Sequence, residues 1–312
     1  MPHHNTSDKL QRAPGDSLWR RLASVGLGCA VVATAVYFGP DLWQTLARLD
    51  WVWALIGLLC YALNYMLRAG RVAVLSKGRV PYWPDAFYAS CLHGFATYML
   101  PFRSGELVLP VLLRGMSGLA LLEGTAILIS ARLLDLMVLG LCIMSTVAIG
   151  QLPIDTGLRM AWFGIGLGLT ALTLAVRLRL GISWLQHRWP RAFGYLAGFV
   201  TFGLPEVLLS LGIWVAVAGC FLCVARSLAL PLGMAEVWLL ISIQLPLQMI
   251  PVQGIANAGN HEAGWLAGLT LLGLSASRAI EIAMASHVLL LSYVLLLGPM
   301  GLVAGFFRRR AR

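Results

Sequence analysis

The sequence predicts an all-α polytopic membrane protein: six spans plus two re-entrant hairpins, arranged as an inverted repeat. Composition is the first ground for this. The 312 residues are 59% hydrophobic and 12% charged, against roughly 45–50% and about 25% in a soluble domain, so hydrocarbon rather than water is the solvent for most of the chain. The second ground is where the bases sit. Four Lys and Arg fall in 1–21, four in 68–79, four in 177–191 and four in 308–312, while the intervening loops hold only Arg48, Arg159, Arg226 and Arg278, and Arg103, Arg114 and Arg132 belong to the first broken segment, its flank and the span after it. Short cytoplasmic loops carry the excess of positive charge, which puts both termini and the basic loops on the cytoplasmic side. The third ground is a pair of apolar segments, each broken in its middle by proline, glycine and glutamate.

The tail 1–21 leads into a first span, 22–39. Arg20 and Arg21 ahead of an apolar run, with Ala33, Thr34 and Ala35 after it, imitate a signal peptide and its cleavage site. The segment reads as uncleaved, because its removal would leave the repeat short of one member. Spans 51–67 and 132–150 complete the first repeat, 22–150, around a hairpin at 86–113 broken at Pro101, Gly105 and Glu106. The stretch 118–130, with Glu123, reads either as an interfacial helix or as a lead-in to the span beginning at Arg132. The second repeat, 160–306, has spans 160–177, 206–225 and 281–306 and a hairpin at 234–274, broken at Pro251 and again between Gly254 and Glu262. Each span approaches the roughly 20 residues that a bilayer requires. Between them 181–202, with Trp184, His187, Arg188, Trp189 and Arg191, reads as a helix lying at headgroup level, and 307–312 is a basic cytoplasmic tail.

A continuous helix through either broken segment would lose a backbone hydrogen bond at the proline and strand charges in hydrocarbon. A hairpin that returns to its own side buries the polar tip in protein or water, and the alternation of basic clusters works only if both segments return. The order is then span, span, inner hairpin, span, followed by span, span, outer hairpin, span. Residue patterns run in parallel: Pro101, Gly105 and Glu106 precede Arg132 and Asp135, and Pro251, Gly254 and Glu262 precede Arg278 and Glu281. An Arg-to-acid spacing of three puts both groups on one helix face, where they can pair with each other or line a site. Inverted repeats with paired broken segments are the architecture of alternating access, with the site where the tips meet.

Other chemistries are excluded or weak. The six cysteines lie in apolar segments and behave as small hydrophobes; Cys220 and Cys223 have redox spacing without a second pair. His3, His4 and His187 sit in polar flanks, and His93 and His287 stand isolated in apolar runs, where packing is the commoner role. No phosphate-binding GxxxxGK[ST] loop is present, no metal or other cofactor is called for, and the net charge of +10 reports topology and anionic lipid rather than nucleic acid.

Three stretches carry a resemblance. "LPFRSGELVLPVLLR", "ARLLDL" and "PVQGIANAGNHEAGW" are similar to motifs of the lysylphosphatidylglycerol synthase transmembrane region, the flippase half of bacterial multiple peptide resistance factors, which also occurs as stand-alone membrane proteins. The likeness runs from Trp51 to about Gly305. In one place the chain departs: where the family usually has two adjacent glycines, Ala256 and Asn257 stand, and Asn260 and His261 precede Glu262. The resemblance implies movement of a polar-headed phospholipid or polyprenyl-linked lipid across the bacterial cytoplasmic membrane, and no enzyme activity. With no synthase segment after Arg312, lipid aminoacylation is not expected of this chain. Under that reading Arg103 is the candidate to hold a phosphate, with Arg132, Asp135, Arg278 and Glu281 as further site candidates. Glu106 and Glu262 would hold a cationic head or a coupling proton, and Gln253, Asn257 and Asn260 would give neutral hydrogen bonds. The expected partners are membrane lipids, with an envelope glycosyltransferase or lipid synthase and a second copy of the chain as candidates. The alternative is an accessory or scaffold subunit of an envelope glycosyltransferase or lipid-modification pathway, in which the charges only hold the fold together.

Overall fold

The computed structural model describes residues 39–80, 83–149, 155–178, 203–249 and 253–303, with isolated positions at 29, 33, 36, 187, 188 and 190. Ten α-helices form among them: α1 Gly39–Ala47, α2 Trp51–Leu75, α3 Trp83–Met99, α4 Val108–Ser117, α5 Leu121–Ile149, α6 Thr156–Arg177, α7 Leu204–Ser227, α8 Met234–Met249, α9 Asn260–Leu271 and α10 Ala276–Leu297. Short 3-10 turns at Pro101–Leu107 and Ile255–Asn257 join α3 to α4 and α8 to α9. No strand is present among the described residues. Among the described residues five helices are long and apolar enough to cross a bilayer: α2, α5, α6, α7 and α10, the last running on to Val303. Most of the predicted span 22–39, the tails and most of 181–202 lie outside the described residues.

Carboxylates fix where the helices begin. Asp50 accepts from the amides of Val52 and Trp53 at the start of α2, and Asp155 from that of Leu158 at the start of α6. Four more helices use a glutamate at their third position, which reaches back to the free amide before the helix. These are Glu123 to Ala120, Glu206 to Gly203, Glu236 to Gly233 and Glu262 to Gly259, at 2.7–3.0 Å. Glu123 thus starts α5 eleven residues before Arg132, and the lead-in reading of 118–130 holds.

The end of α2 corrects the sequence reading. Arg68 and Arg71 do not belong to a cytoplasmic loop. They lie within the helix, which continues to Leu75, and Arg71 is 3% exposed. A guanidinium can stay there because a carboxylate meets it from another helix, as described below.

Two cores hold the bundle. Leu75, Leu113, Ile127 and Leu134 unite α2, α4 and α5; Ile213, Phe221, Leu240, Trp265 and Ile282 unite α7 to α10, with Trp265 stacked on Phe221. Each broken segment folds on itself. Gly105 sits against the backbone of Ala96, where a Cβ would overlap, so the first turn presses on α3. Gly264 and Gly268, four apart on one face of α9, abut Gln244 and Leu240 of α8, the small-residue spacing that lets two helices approach closely.

Candidate functional site: a polar cavity where two chain breaks meet

The first turn exists because Pro101 cannot continue α3: it has no N–H to give the carbonyl of Thr97. Leu100 goes extended, and Phe102 and Arg103 take left-handed conformations, φ 55° and 53°. In the second turn Ala256 and Asn257 do the same, φ 56° and 62°. Both turns therefore contain two consecutive non-glycine residues in a region that costs about 1–2 kcal/mol each. Their mutual contact offsets this. The carbonyl of Gln253 accepts from the Phe102 amide at 3.2 Å, and its side-chain amide donates to the carbonyls of Thr97 and Leu100 at 2.9 and 3.0 Å. Gln253 supplies the hydrogen bond that Pro101 cannot.

Below this staple lies a chain of charges. Glu106 is held by Arg103 at 2.6 Å, by Arg132 at 2.5 Å and, on its other oxygen, by His93 at 3.4 Å. Arg132 also reaches Asp135 at 3.0 Å. The remaining oxygen of Asp135 accepts from Arg71 at 2.7 Å and from the Trp214 indole at 3.1 Å, and Arg71 also donates to Ser210. Arg68 stands beside this chain, donates from Nε to Asn64 at 2.9 Å and makes no ion pair among the described residues. Four arginines thus face two carboxylates, which leaves two positive charges without a counter-charge in the cluster.

Arg68, Arg103 and Arg132 line a cavity of about 140 Å³ together with Thr97, Tyr98, Gln253 and Asn257. The hydroxyls of Thr97 and Tyr98 have no partner there, and in an adjoining lobe neither amide atom of Gln244 has one. Buried polar groups are normally satisfied, so these stand ready for a guest. Arg103, Arg132 and the Glu106 paired to them also border a groove of about 310 Å³ whose other walls are Leu128, Ile129, Leu133 and Leu136 of α5. Ile129 is exposed, which opens the groove to the outer surface of the helix.

Around the second turn Glu262 caps α9 with one oxygen and meets His287 Nδ1 with the other. The opposite ring nitrogen of His287 donates to the carbonyl of Ala256 at 2.8 Å. The His261 ring lies 4.8 Å from that of His287, tilted by 34°, and bonds Ser286 at 2.9 Å.

The structure brings Arg103, Arg132, Gln253 and Asn257 to the cavity wall, with Glu106 and Asp135 paired to those arginines. It sets the other candidates apart. The Asn260 amide donates to the carbonyl of Leu247 and braces α8 against α9. Arg278 and Glu281 pair with each other at 2.5 Å at the head of α10, where Glu281 also meets Thr45 of α1; they lie away from the cavity. Four residues passed over in the sequence belong to the site: Arg68, Arg71, His93 and His287. The spacing from Glu106 to Arg132 is 26 and that from Glu262 to His287 is 25, a repeat that would have pointed to His287.

A family profile described as the lysylphosphatidylglycerol synthase TM region matches residues 24–298. The chain belongs to this family. The match takes in both turns and every residue of the cavity, and gives the lysylphosphatidylglycerol synthase transmembrane region, with its membrane-lipid function, as the setting of the site. It is a multi-pass membrane protein. Within that match Ala256 and Asn257 are the residues of the second turn with left-handed backbone. No curated protein and no solved structure gives a significant match.

Proposed function

We propose that the protein is a lipid translocase, which moves an anionic phospholipid or polyprenyl-linked phospholipid across the bacterial cytoplasmic membrane and performs no covalent chemistry. The observation that carries this is the sharing of Arg103 and Arg132 between a polar cavity and an apolar groove. A guest that fills both has a charged head and a hydrocarbon tail. The two uncompensated positive charges favour a head of net negative charge over a lysine-bearing one, and Arg68 and Arg103 suit a phosphate. The tail stays in the bilayer while the head follows the cavity, which avoids several kcal/mol per polar group left bare in hydrocarbon.

In this reading the two helix–turn–helix units are re-entrant hairpins that enter from opposite faces, and the halves form an inverted repeat. The depth of the site supports it. Arg132 lies eleven residues into α5 and His287 eleven residues into α10, so at 1.5 Å per residue each is about 16 Å from its helix start. That is near the middle of a bilayer core about 30 Å thick. A second reading draws on the saturation of Glu106 by Arg103 and Arg132: the charges only hold the fold, and the protein is an accessory subunit of an envelope glycosyltransferase or lipid-modification pathway.

Fluorescent-lipid quenching in liposomes separates the two. The protein should speed transbilayer movement of labelled phosphatidylglycerol well above protein-free vesicles, and more than that of labelled phosphatidylcholine. If neither lipid moves faster while the same preparation binds an envelope glycosyltransferase, the accessory reading stands instead.

A further inference from the structure

We propose that Glu262 and His287 form a proton-binding site, and that its proton crosses the membrane together with the anionic lipid. The inference rests on the translocase reading above and names what drives it. Proton stoichiometry follows from the hydrogen bonds. A carbonyl oxygen can only accept, so His287 Nε2, 2.8 Å from the Ala256 oxygen, carries a hydrogen. If the ring held no second proton, Nδ1 would present a lone pair to the Glu262 carboxylate, and the two would repel. Their hydrogen bond therefore contains a proton. Whichever partner holds it, the pair is neutral in this conformation and carries one negative charge once the proton leaves.

The corresponding carboxylate of the first half is built differently. Glu106 is held by Arg103 and Arg132, cations that do not lose their charge. Among the described residues Glu262 has no arginine or lysine partner; its counter-group is an imidazole, the side chain that titrates near neutral pH. One half thus carries a fixed charge where the other carries a titratable one. The groups facing the pair do not replace it. They are His261 of α9, at a ring distance of 4.8 Å from His287, and Tyr98 of α3, at 6.0 Å.

The pair is joined to the cavity wall through the second turn. Ala256, which receives the His287 hydrogen bond, precedes Asn257 of the cavity wall, and Gln253 in the same wall is stapled to the first turn. An anionic head in the cavity and a negative charge on the pair repel; head and proton bind better together than singly. Binding linkage of this kind is reciprocal, so lipid should run in the direction of proton flow.

The test uses nitrobenzoxadiazole-labelled phosphatidylglycerol in phosphatidylcholine vesicles with a pH step of either sign and the membrane potential clamped. Wild-type movement should be about fivefold or more faster with the proton gradient aligned than with it opposed. In Glu262→Gln, which keeps an oxygen to cap α9, and in His287→Gln that ratio should fall to about one, whatever the absolute rate. In weakly buffered detergent, short-chain phosphatidylglycerol should raise the pH on binding to the wild type and not on binding to Glu262→Gln. Movement by the wild type at equal rates under both gradients overturns the coupling and leaves the translocase reading in place. No movement under any gradient overturns both.

Discussion

Arg68 and Arg71 occupy one helix, a single turn apart, and have opposite parts. Arg71 is closed in by Asp135 and Ser210, so Arg71→Ala should cost roughly 1–3 kcal/mol, the loss on taking one of two arginines from a buried carboxylate. It should appear as reduced thermal stability by size-exclusion in detergent. Arg68 has only Asn64, so Arg68→Gln should keep the folded protein and slow phosphatidylglycerol movement about tenfold or more. Equal stability of the two variants would contradict this division. The sequence could not separate them. Two arginines that end an apolar run read as the edge of a loop, and the carboxylate that draws Arg71 inward lies 64 residues later. His93 and His287 were opaque for the same reason: each meets a glutamate from another element, and an isolated histidine carries no local sign of it.

At the scale of the element, proline, glycine and glutamate in an apolar run made both breaks legible, because each residue's cost in a spanning helix is known from its own chemistry. The conformation inside the breaks was not legible. Phe102, Arg103 and Ala256 are not residues that favour a left-handed backbone, and it is the Gln253 staple from the other half that holds the first turn there. Ala256→Gly should relieve about 1–2 kcal/mol of that strain, more than the roughly 0.4–1 kcal/mol by which a glycine favours the unfolded chain, and so raise the unfolding temperature slightly. Gly105→Ala should do the reverse and lower it, since its methyl group would overlap the backbone of Ala96. The repeated glutamate at the third helical position of α5, α7, α8 and α9 was open to view in the sequence, and it sets helix starts that apolar runs alone misplace by several residues.

For the whole molecule, the alternating basic clusters make a topology that labelling can check. With the six native cysteines replaced, single cysteines at positions 77 and 188 should react only from the cytoplasmic side, and those at 41, 155 and 231 from outside. External labelling at 188 would overturn the arrangement of both halves. The ion pair between α2 and α5 also has a consequence for how the chain is made. Synthesis proceeds from the N-terminus at about 5–20 residues per second. The helix carrying Arg68 and Arg71 therefore enters the membrane before Asp135 has been translated. An arginine at the centre of an inserting helix costs about 2.5–3.5 kcal/mol on the translocon scale, and two of them near the C-terminal end of α2 favour holding that end at the water interface. Only when α5 arrives can Asp135 draw Arg71 down, with Trp214 of α7 closing the contact later still. Helix α2 is thus completed by the third and fifth helices that follow it out of the ribosome, α5 and α7.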